Sequence, residues 1–234
     1  MRRKRPKGVI STPPSGKTHH YCHRLKHQCI SNFTTILVKL VITANTVYMQ
    51  QTNLTNQFLI AMPNLKDPNF EKTVTYICAH NEDGAMGIVI NKPLEIELAE
   101  IFEQMDIPAN NPDTNNKIIF HGGPVHTDRG FILHHASKEW DSSIIVSDEI
   151  CVTTSKDILE AMAAGDGPEQ SLIALGYAGW ASGQLEQELM DNAWLNGPSD
   201  LEIIFSTPFE QCWQSAADHM GIDIEKLSTD IGHA

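Results

Sequence analysis

Histidines cluster in one short segment of the chain, HGGPVHTDRGFILHH, at residues 121–135. Imidazoles bind metals and transfer protons near neutral pH, and His126 with Asp128 has the residue types of an acid/base pair. The spacing favours a simpler role, because Gly-Gly-Pro reverses the chain between the strands KIIF and GFILHH. A metal site also needs three convergent ligands, whereas His134 and His135 alternate across a strand. The segment is therefore predicted to be a strand-connecting loop, with no metal site and no catalytic residue.

A second segment, GYAGWASGQLEQEL at residues 176–189, runs from a buried strand through a glycine-rich turn into a helix. Free backbone N–H groups at a helix start can bind an anion. Close packing at the glycines and a core position for Trp180 explain the same pattern without a ligand. A ligand that lay between these two segments and the strand end Asn91-Lys92-Pro93 would contact Asn91, Lys92, His121, Gly122, Gly123, Gly179, Trp180 and Gly183.

Several enzyme signatures are missing from the sequence. It contains no phosphate-binding G-x-x-x-x-G-K-[ST], no dinucleotide-binding G-x-G-x-x-G, no H-E-x-x-H, no C-x-x-C and no G-x-S-x-G. No cofactor is predicted. The sequence favours a protein that is not an enzyme and leaves an enzyme open as the alternative.

The charge of the chain is divided by position. Residues 1–48 contain nine Lys and Arg residues and no acid, whereas residues 49–234 contain eight basic residues and all 29 acids. The body therefore carries a net charge of −21. Because nucleic-acid affinity depends on clustered Lys and Arg, direct nucleic-acid binding by the body is not expected.

Residues 1–48 differ from the rest of the chain in composition. Three interpretations are open: translated upstream sequence with the natural start at Met49, an organelle transit peptide, or a genuine basic tail. The first is favoured, and the body at 49–234 is predicted to form a single domain. No apolar run reaches the ~20 residues of a membrane-spanning helix. The five cysteines form no paired framework, which is typical of a reducing, cytoplasmic compartment.

The pattern of apolar residues predicts about eight strands and four helices in mixed order, which is an α+β or mixed α/β domain with a helix-covered sheet. LEIELAEIFEQM has the i, i+3, i+4, i+7 spacing of an amphipathic helix. SLIALGYAG is nearly all apolar, as expected of a central strand. LEIIF is predicted to be a further strand.

Four motifs together resemble the AlgH/YqgE family of small bacterial proteins. They are NQFLIAMPNLKDPNFEKTVTYICAH, GAMGIVINKP, FHGGPV with RGFILH, and GYAGWASGQLEQEL with NAWL. The resemblance spans residues 56–221 and implies a mixed sheet in a barrel-like or bifurcated arrangement with helices around it. Members of this family carry a transcriptional-regulator label, yet this sequence has no helix-turn-helix pattern.

The leading functional prediction is a cytoplasmic, non-enzymatic regulatory or binding protein that acts through a protein partner or a small ligand. The alternative is an enzyme or a small-ligand sensor with a pocket between the HGGP loop and the GWASGQ turn. A homodimer is a further possibility, because an exposed apolar patch would favour self-association.

Overall fold

The computed structural model describes residues 53–109 and 111–227 of the chain. The interpretations of residues 1–48 lie outside this part of the chain. Ten strands of the described residues join one sheet. They are β1 Gln57–Ala61, β2 Val74–Asn81, β3 Gly84–Val89, β4 Pro93–Glu97, β5 Ile118–His121, β6 Val125–His135, β7 Ser143–Ile145, β8 Ile150–Thr153, β9 Ser171–Ala181 and β10 Trp194–Pro198.

Strand β9 is the central strand, and the sheet forks there. The order β10-β1-β2-β3-β9-β6-β8-β7 is antiparallel at every step. Strand β5 pairs in parallel with residues 173–175 of β9, on the edge that pairs with β3 further along, at residues 178–181. Strand β4 pairs with the other edge of β5. The prediction of a mixed α/β fold with a bifurcated sheet is confirmed.

Contact between glycine backbones makes the fork possible. A Cβ atom on Gly122 would lie 2.3 Å from the carbonyl oxygen of Gly176, and one on Gly123 would lie 2.2 Å from the carbonyl carbon of Tyr177. Gly176 itself has a φ of +74°, and a Cβ there would lie 2.5 Å from the carbonyl oxygen of Gly123. Non-bonded carbon atoms prefer about 3.5–4.0 Å, so no side chain fits at these three positions.

The described residues contain six α-helices and one 3₁₀ turn. The helices are α1 Leu98–Gln104, α2 Pro112–Asn115, α3 Lys156–Ala164, α4 Gln184–Met190, α5 Leu201–Phe205 and α6 Phe209–His219, and the turn is Ile224–Lys226. None of the helices in this part of the chain is long and apolar enough to cross a membrane.

Alternating side chains of the central strands enter two different cores. Phe131, Leu133 and Leu172 belong to the core that α5 and α6 cover, whereas Ile132 and Ile173 belong to the core that α1 and α3 cover. Successive residues of a strand point to opposite faces, so β6 and β9 are apolar on both faces. The prediction that SLIALGYAG forms a buried central strand is confirmed.

The segment LEIIF was predicted as a strand, and this prediction is wrong. It forms the short helix α5, because the side chain of Asp200 accepts hydrogen bonds from the N–H groups of Glu202 (2.8 Å) and Ile203 (3.1 Å) and so caps a helix start. A short apolar run fits either structure. The neighbouring segment Trp194–Pro198 was not predicted and forms the edge strand β10.

The segment LEIELAEIFEQM is a helix only in its second half. Residues 94–97 belong to β4, which pairs with β5, and α1 begins at Leu98. Glu97 and Glu100 form a capping box at this junction, which explains where the helix starts. The alternation of apolar and acidic residues in LEIE also fits a strand.

A glycine at the fork can be compared with a glycine in open space. We expect Gly123→Ala to lower the free energy of unfolding by about 3 kcal/mol or more, because the new Cβ overlaps the backbone of β9. Gly130→Ala is the matched control, since a Cβ there meets nothing within 4 Å. We expect the control to change the stability by less than about 1 kcal/mol. Urea unfolding of the full chain measures both, and equal stability of the two variants would contradict the role of the fork.

Candidate functional site

Five of the eight predicted ligand contacts meet at the fork of the sheet. The N–H of His121 donates to the carbonyl of Lys92 (2.7 Å), and the N–H of Gly122 donates to the carbonyl of Leu175 (2.8 Å). The carbonyl of Gly122 accepts from the N–H of Val89 (2.9 Å). The backbone of the HGGP segment, which includes Gly123, is thus hydrogen-bonded to β9 and to the strand end that contains Asn91 and Lys92.

The side chains of Asn91 and Lys92 hold a neighbouring loop. Asn91 accepts from the N–H of Val74 (2.8 Å) and donates to the carbonyl of Lys72 (3.0 Å). The ammonium group of Lys92 donates to the carbonyl of Pro68. Burial, together with the charge of Lys92, lowers the pKa of His121, so its imidazole is neutral at physiological pH.

The segment that follows the HGGP turn is not a loop. Residues 125–129 belong to β6, whose register with β9 shifts between Val125 and Gly130. His126 takes a left-handed φ of +48° in this bulge, and its ring stacks on Tyr177 with 6.0 Å between ring centroids. Nε2 of the buried His134 forms a hydrogen bond with the hydroxyl of Thr153 (2.8 Å).

The other three predicted contacts lie toward the far end of β9. Trp180 is buried in a third core, which it shares with Trp194 and Leu185 of α4. Gly179 packs beside the ring of Tyr177, and Gly183 precedes α4 with a φ of +74°. The HGGP turn contacts residues 176–178 of β9. The ring of Trp180 lies in the third core instead. A ligand contact at any of the eight positions stays a prediction.

Two glutamates of α4 organise this third core through hydrogen bonds that the sequence pattern did not reveal. One carboxylate oxygen of Glu188 accepts from the indole N–H groups of both Trp180 (2.8 Å) and Trp194 (2.9 Å). Glu186 bonds to Nε2 of the buried His80 (3.0 Å), whose Nδ1 accepts from the N–H of Leu54 (3.0 Å).

A cleft with mixed character lies between β6, α1 and α3, and we call it the α1–α3 cleft. Its volume is about 600 Å³. The apolar lining consists of Ile101, Met105, Ile132, Leu159, Ile173 and Leu175. Arg129 and Lys156 line it as well, and Asp128 is the one carboxylate among its lining residues.

The two cations of this cleft are held in different ways. The guanidinium of Arg129 donates to the hydroxyl of Thr154 (3.3 Å) and lies over the ring of Phe131, 5.6 Å from its centroid. Lys156 is about half exposed and pairs with Glu160 on the solvent side of α3 (3.3 Å). Arg129 has no ion-pair partner among the described residues, so its charge is available to an anion.

The start of helix α3, beside Arg129 and Lys156, already has an acceptor from the protein. Burial opposes the charge of Asp157, yet hydrogen bonds from Ser155 and from the N–H groups of Asp141 and Ile158 lower its pKa below the ordinary value. An anion in the cleft would therefore bind to the side chains of Arg129 and Lys156 rather than to free helix N–H groups.

No metal centre is formed by the part of the chain that the structure describes, since no three His, Cys, Asp or Glu residues group there. The three cysteines of this part, Cys78, Cys151 and Cys212, are free and buried. Burial raises the pKa of each thiol, so the thiols are protonated and unreactive. Buried thiols of this kind pack as small hydrophobic residues.

The double acceptor in the third core can be tested by removing it. We expect Glu188→Ala to lower the free energy of unfolding by about 3 kcal/mol, because two buried indole N–H groups lose a charged acceptor. Glu160→Ala on the surface of α3 is the control, for which we expect a change within about 0.5 kcal/mol. Urea unfolding followed by tryptophan fluorescence measures both. A loss for Glu188→Ala no larger than the control would show that the indoles need no acceptor.

Sequence comparison finds relatives over most of this chain. The AlgH-like family model matches residues 58–225. A UPF0301 protein of Thioalkalivibrio sulfidiphilus is 58% identical over 182 residues, which cover 78% of this chain and 97% of that protein. A UPF0301 protein of Methylococcus capsulatus is 52% identical over 180 residues, which cover 77% and 96%.

Solved structures agree with this result. The solution structure of AlgH from Pseudomonas aeruginosa is 49% identical, with a TM-score of 0.66, and the match covers 79% of this chain and 98% of that one. A crystal structure of a Corynebacterium diphtheriae protein shares the fold at 16% identity, with a TM-score of 0.59 over 73% of this chain and 89% of that one. From the family model and these relatives together, the chain belongs to the AlgH-like family.

Proposed function

We propose that this protein is a ligand-binding regulator and that its ligand is a small apolar anion held in the α1–α3 cleft. The observation that carries the proposal is the lining of this cleft, which joins six apolar side chains to the two cations Arg129 and Lys156 and only one carboxylate, Asp128. The apolar part of the ligand would pack against the apolar lining, and its acidic group would lie between the two cations.

The size of the cleft suits such a ligand. Ligand pockets range over about 300–1,000 Å³, and the α1–α3 cleft has about 600 Å³. A chain of eight to ten carbons with one carboxylate fits this range. Arg129 presents a planar fork of donors that matches the geometry of a carboxylate.

The net charge of residues 49–234 also favours ligand binding in the α1–α3 cleft. Residues 49–234 carry a net charge of −21, with eight basic residues in all, and two of these line one cleft. An acidic surface repels an anion elsewhere, so the ligand is directed to the place where positive charge and apolar surface coincide. The same balance disfavours a nucleic-acid ligand, whose backbone needs many cations.

Decanoate is a suitable probe for the proposed ligand class. We expect it to bind the full chain in isothermal titration calorimetry, and we expect Arg129→Gln with Lys156→Gln to raise its Kd about tenfold, since each lost contact is charge-assisted. Lys138→Gln is the control, because Lys138 lies over the ring of Trp140 and outside this cleft. No decanoate binding by the full chain, or equal binding by the double variant, would contradict the proposal.

A protein partner is the second candidate, and the edge strand β7 favours it. Ile144 and Ile145 of this strand are 48% and 73% exposed. Among the strands of the described residues, β7 ends the strand order and pairs with β8 alone, so its other edge offers backbone groups to a second strand. Pairing of β7 with its copy in a second chain would place each isoleucine beside a side chain of the new strand and reduce the exposure of both.

Self-association through β7 has a direct measurement. If the chain is a dimer in light scattering at micromolar concentration, we expect Ile145→Lys to convert it to a monomer, because a lysine opposes pairing at a sheet edge. Lys66→Glu, on an exposed side chain away from β7, serves as the control. A monomer in the unchanged chain, or a dimer that survives Ile145→Lys, would exclude this interface.

A further inference from the structure

Two polar side chains meet where β5 and β9 begin to run side by side. The parallel register pairs Ile119 with Ile173, so Lys117 and Ser171 stand opposite each other two residues earlier. The ammonium nitrogen of Lys117 lies 2.9 Å from the hydroxyl oxygen of Ser171. These residues are 54 positions apart in the sequence, and only the sheet brings them together.

A small cleft adjoins this pair, and both residues line it. Its volume is about 300 Å³, and its walls come mainly from β5, β9, α5 and α6. The apolar lining consists of Ile90, Ile118, Phe120, Leu172, Ile173, Ile204, Phe205 and Phe209. None of the residues that line it is acidic, and Lys117 has no ion-pair partner among the described residues.

This environment favours the neutral form of the Lys117 amine. Burial lowers the pKa of Lys117, because an ammonium group loses solvation in apolar surroundings and no carboxylate compensates for it. A larger fraction of the amine is therefore neutral at physiological pH than for an exposed lysine. In its neutral form the nitrogen can accept the proton of the Ser171 hydroxyl across the same 2.9 Å contact.

We propose that Ser171 and Lys117 form a serine–lysine dyad that hydrolyses esters or thioesters of small apolar acyl groups. A serine hydroxyl is a weak nucleophile unless a base takes its proton, and lysine serves as this base in several serine enzymes. The dyad lies in a different cleft from the proposed ligand site, so the two proposals stand or fall separately.

The reaction balances with water as the only co-substrate. Oγ of Ser171 forms a bond to the acyl carbon while its proton moves to Nζ of Lys117. Lys117 then gives this proton to the leaving alcohol or thiol as the C–O or C–S bond breaks. Water attacks the acyl-serine, Lys117 accepts a proton from the water, and this proton returns to Oγ as the carboxylic acid leaves.

The volume of the cleft restricts the size of the acyl group. Phe120 and Phe209 pack edge to face across it, with 6.3 Å between ring centroids. A volume near the lower end of ligand pockets leaves room for a short chain or a single ring. The absence of acids from the lining also avoids repulsion of the oxyanion that forms in the transition state.

A fluorophosphonate probe tests the nucleophile in the full-length chain. We expect the probe to modify Ser171, identified by mass spectrometry of the digested protein, and we expect Ser171→Ala to lose the label. Ser137→Ala, at an exposed serine outside the cleft, is the matched control and should keep it. No label on Ser171 in the unchanged chain would overturn the proposal without reference to any variant. Label that persists in Ser171→Ala would overturn it too.

The base is tested with a substitution that preserves the charge. Lys117→Arg keeps a cation that can donate to Ser171, but arginine does not give up its proton. We expect its hydrolysis of p-nitrophenyl butyrate to fall by about 10²-fold or more relative to the unchanged chain, the usual contribution of a general base. Lys138→Arg should leave the rate unchanged. Hydrolysis by Lys117→Arg at the rate of the unchanged chain would reduce the pair to a structural hydrogen bond.

Discussion

The contact between the backbones of Gly122, Gly123 and Gly176 is the constraint on which the rest of the structure depends. Residues 173–175 of β9 pair with β5, and a few residues later the same edge pairs with β3. Strands β5 and β3 can follow each other along one edge of β9 only if the HGGP turn after β5 passes very close to the backbone of β9. Side chains would occupy that space, and the Cβ distances of 2.2–2.5 Å show that none fits.

The fork in turn places the three cores. Because β9 exchanges partners at Gly176, its first half carries apolar residues into the two cores under α5–α6 and α1–α3, and Trp180 in its second half enters the third. The third core contains large indole rings whose N–H groups need acceptors inside the protein. Glu188 supplies one oxygen to both rings, which explains why an acid is favourable at that position of α4.

The features predictable from sequence were those with a local physical cause. The buried central strand SLIALGYAG follows from its continuous apolar run, and the helical half of LEIELAEIFEQM follows from the i, i+3, i+4, i+7 spacing of its apolar residues. LEIIF was assigned wrongly because a five-residue segment with four apolar side chains fits a helix or a strand, and the cap at Asp200 decides between them. The strand β4 was hidden inside a helical spacing, because its pairing with β5 is a tertiary contact.

The candidate functional residues were harder to predict for the same reason. The histidines and glycines of the HGGP segment drew attention because they are neighbours in sequence, and the structure gives the glycines a packing role. Arg129 and Lys156 are 27 positions apart, and Lys117 and Ser171 are 54 apart, so neither pair forms a linear motif. In each pair, one residue belongs to a strand that meets the fork: Arg129 lies in β6, and Ser171 is the first residue of β9.

This distinction changes what the missing enzyme motifs mean. Motifs such as G-x-S-x-G depend on a nucleophile and its supporting backbone within one turn, so their absence excludes that geometry only. A dyad across two parallel strands needs nothing from its sequence neighbours except the strand pairing. In an acidic chain, a lysine without a carboxylate partner beside a serine is a chemical feature in its own right, and only the three-dimensional register reveals it.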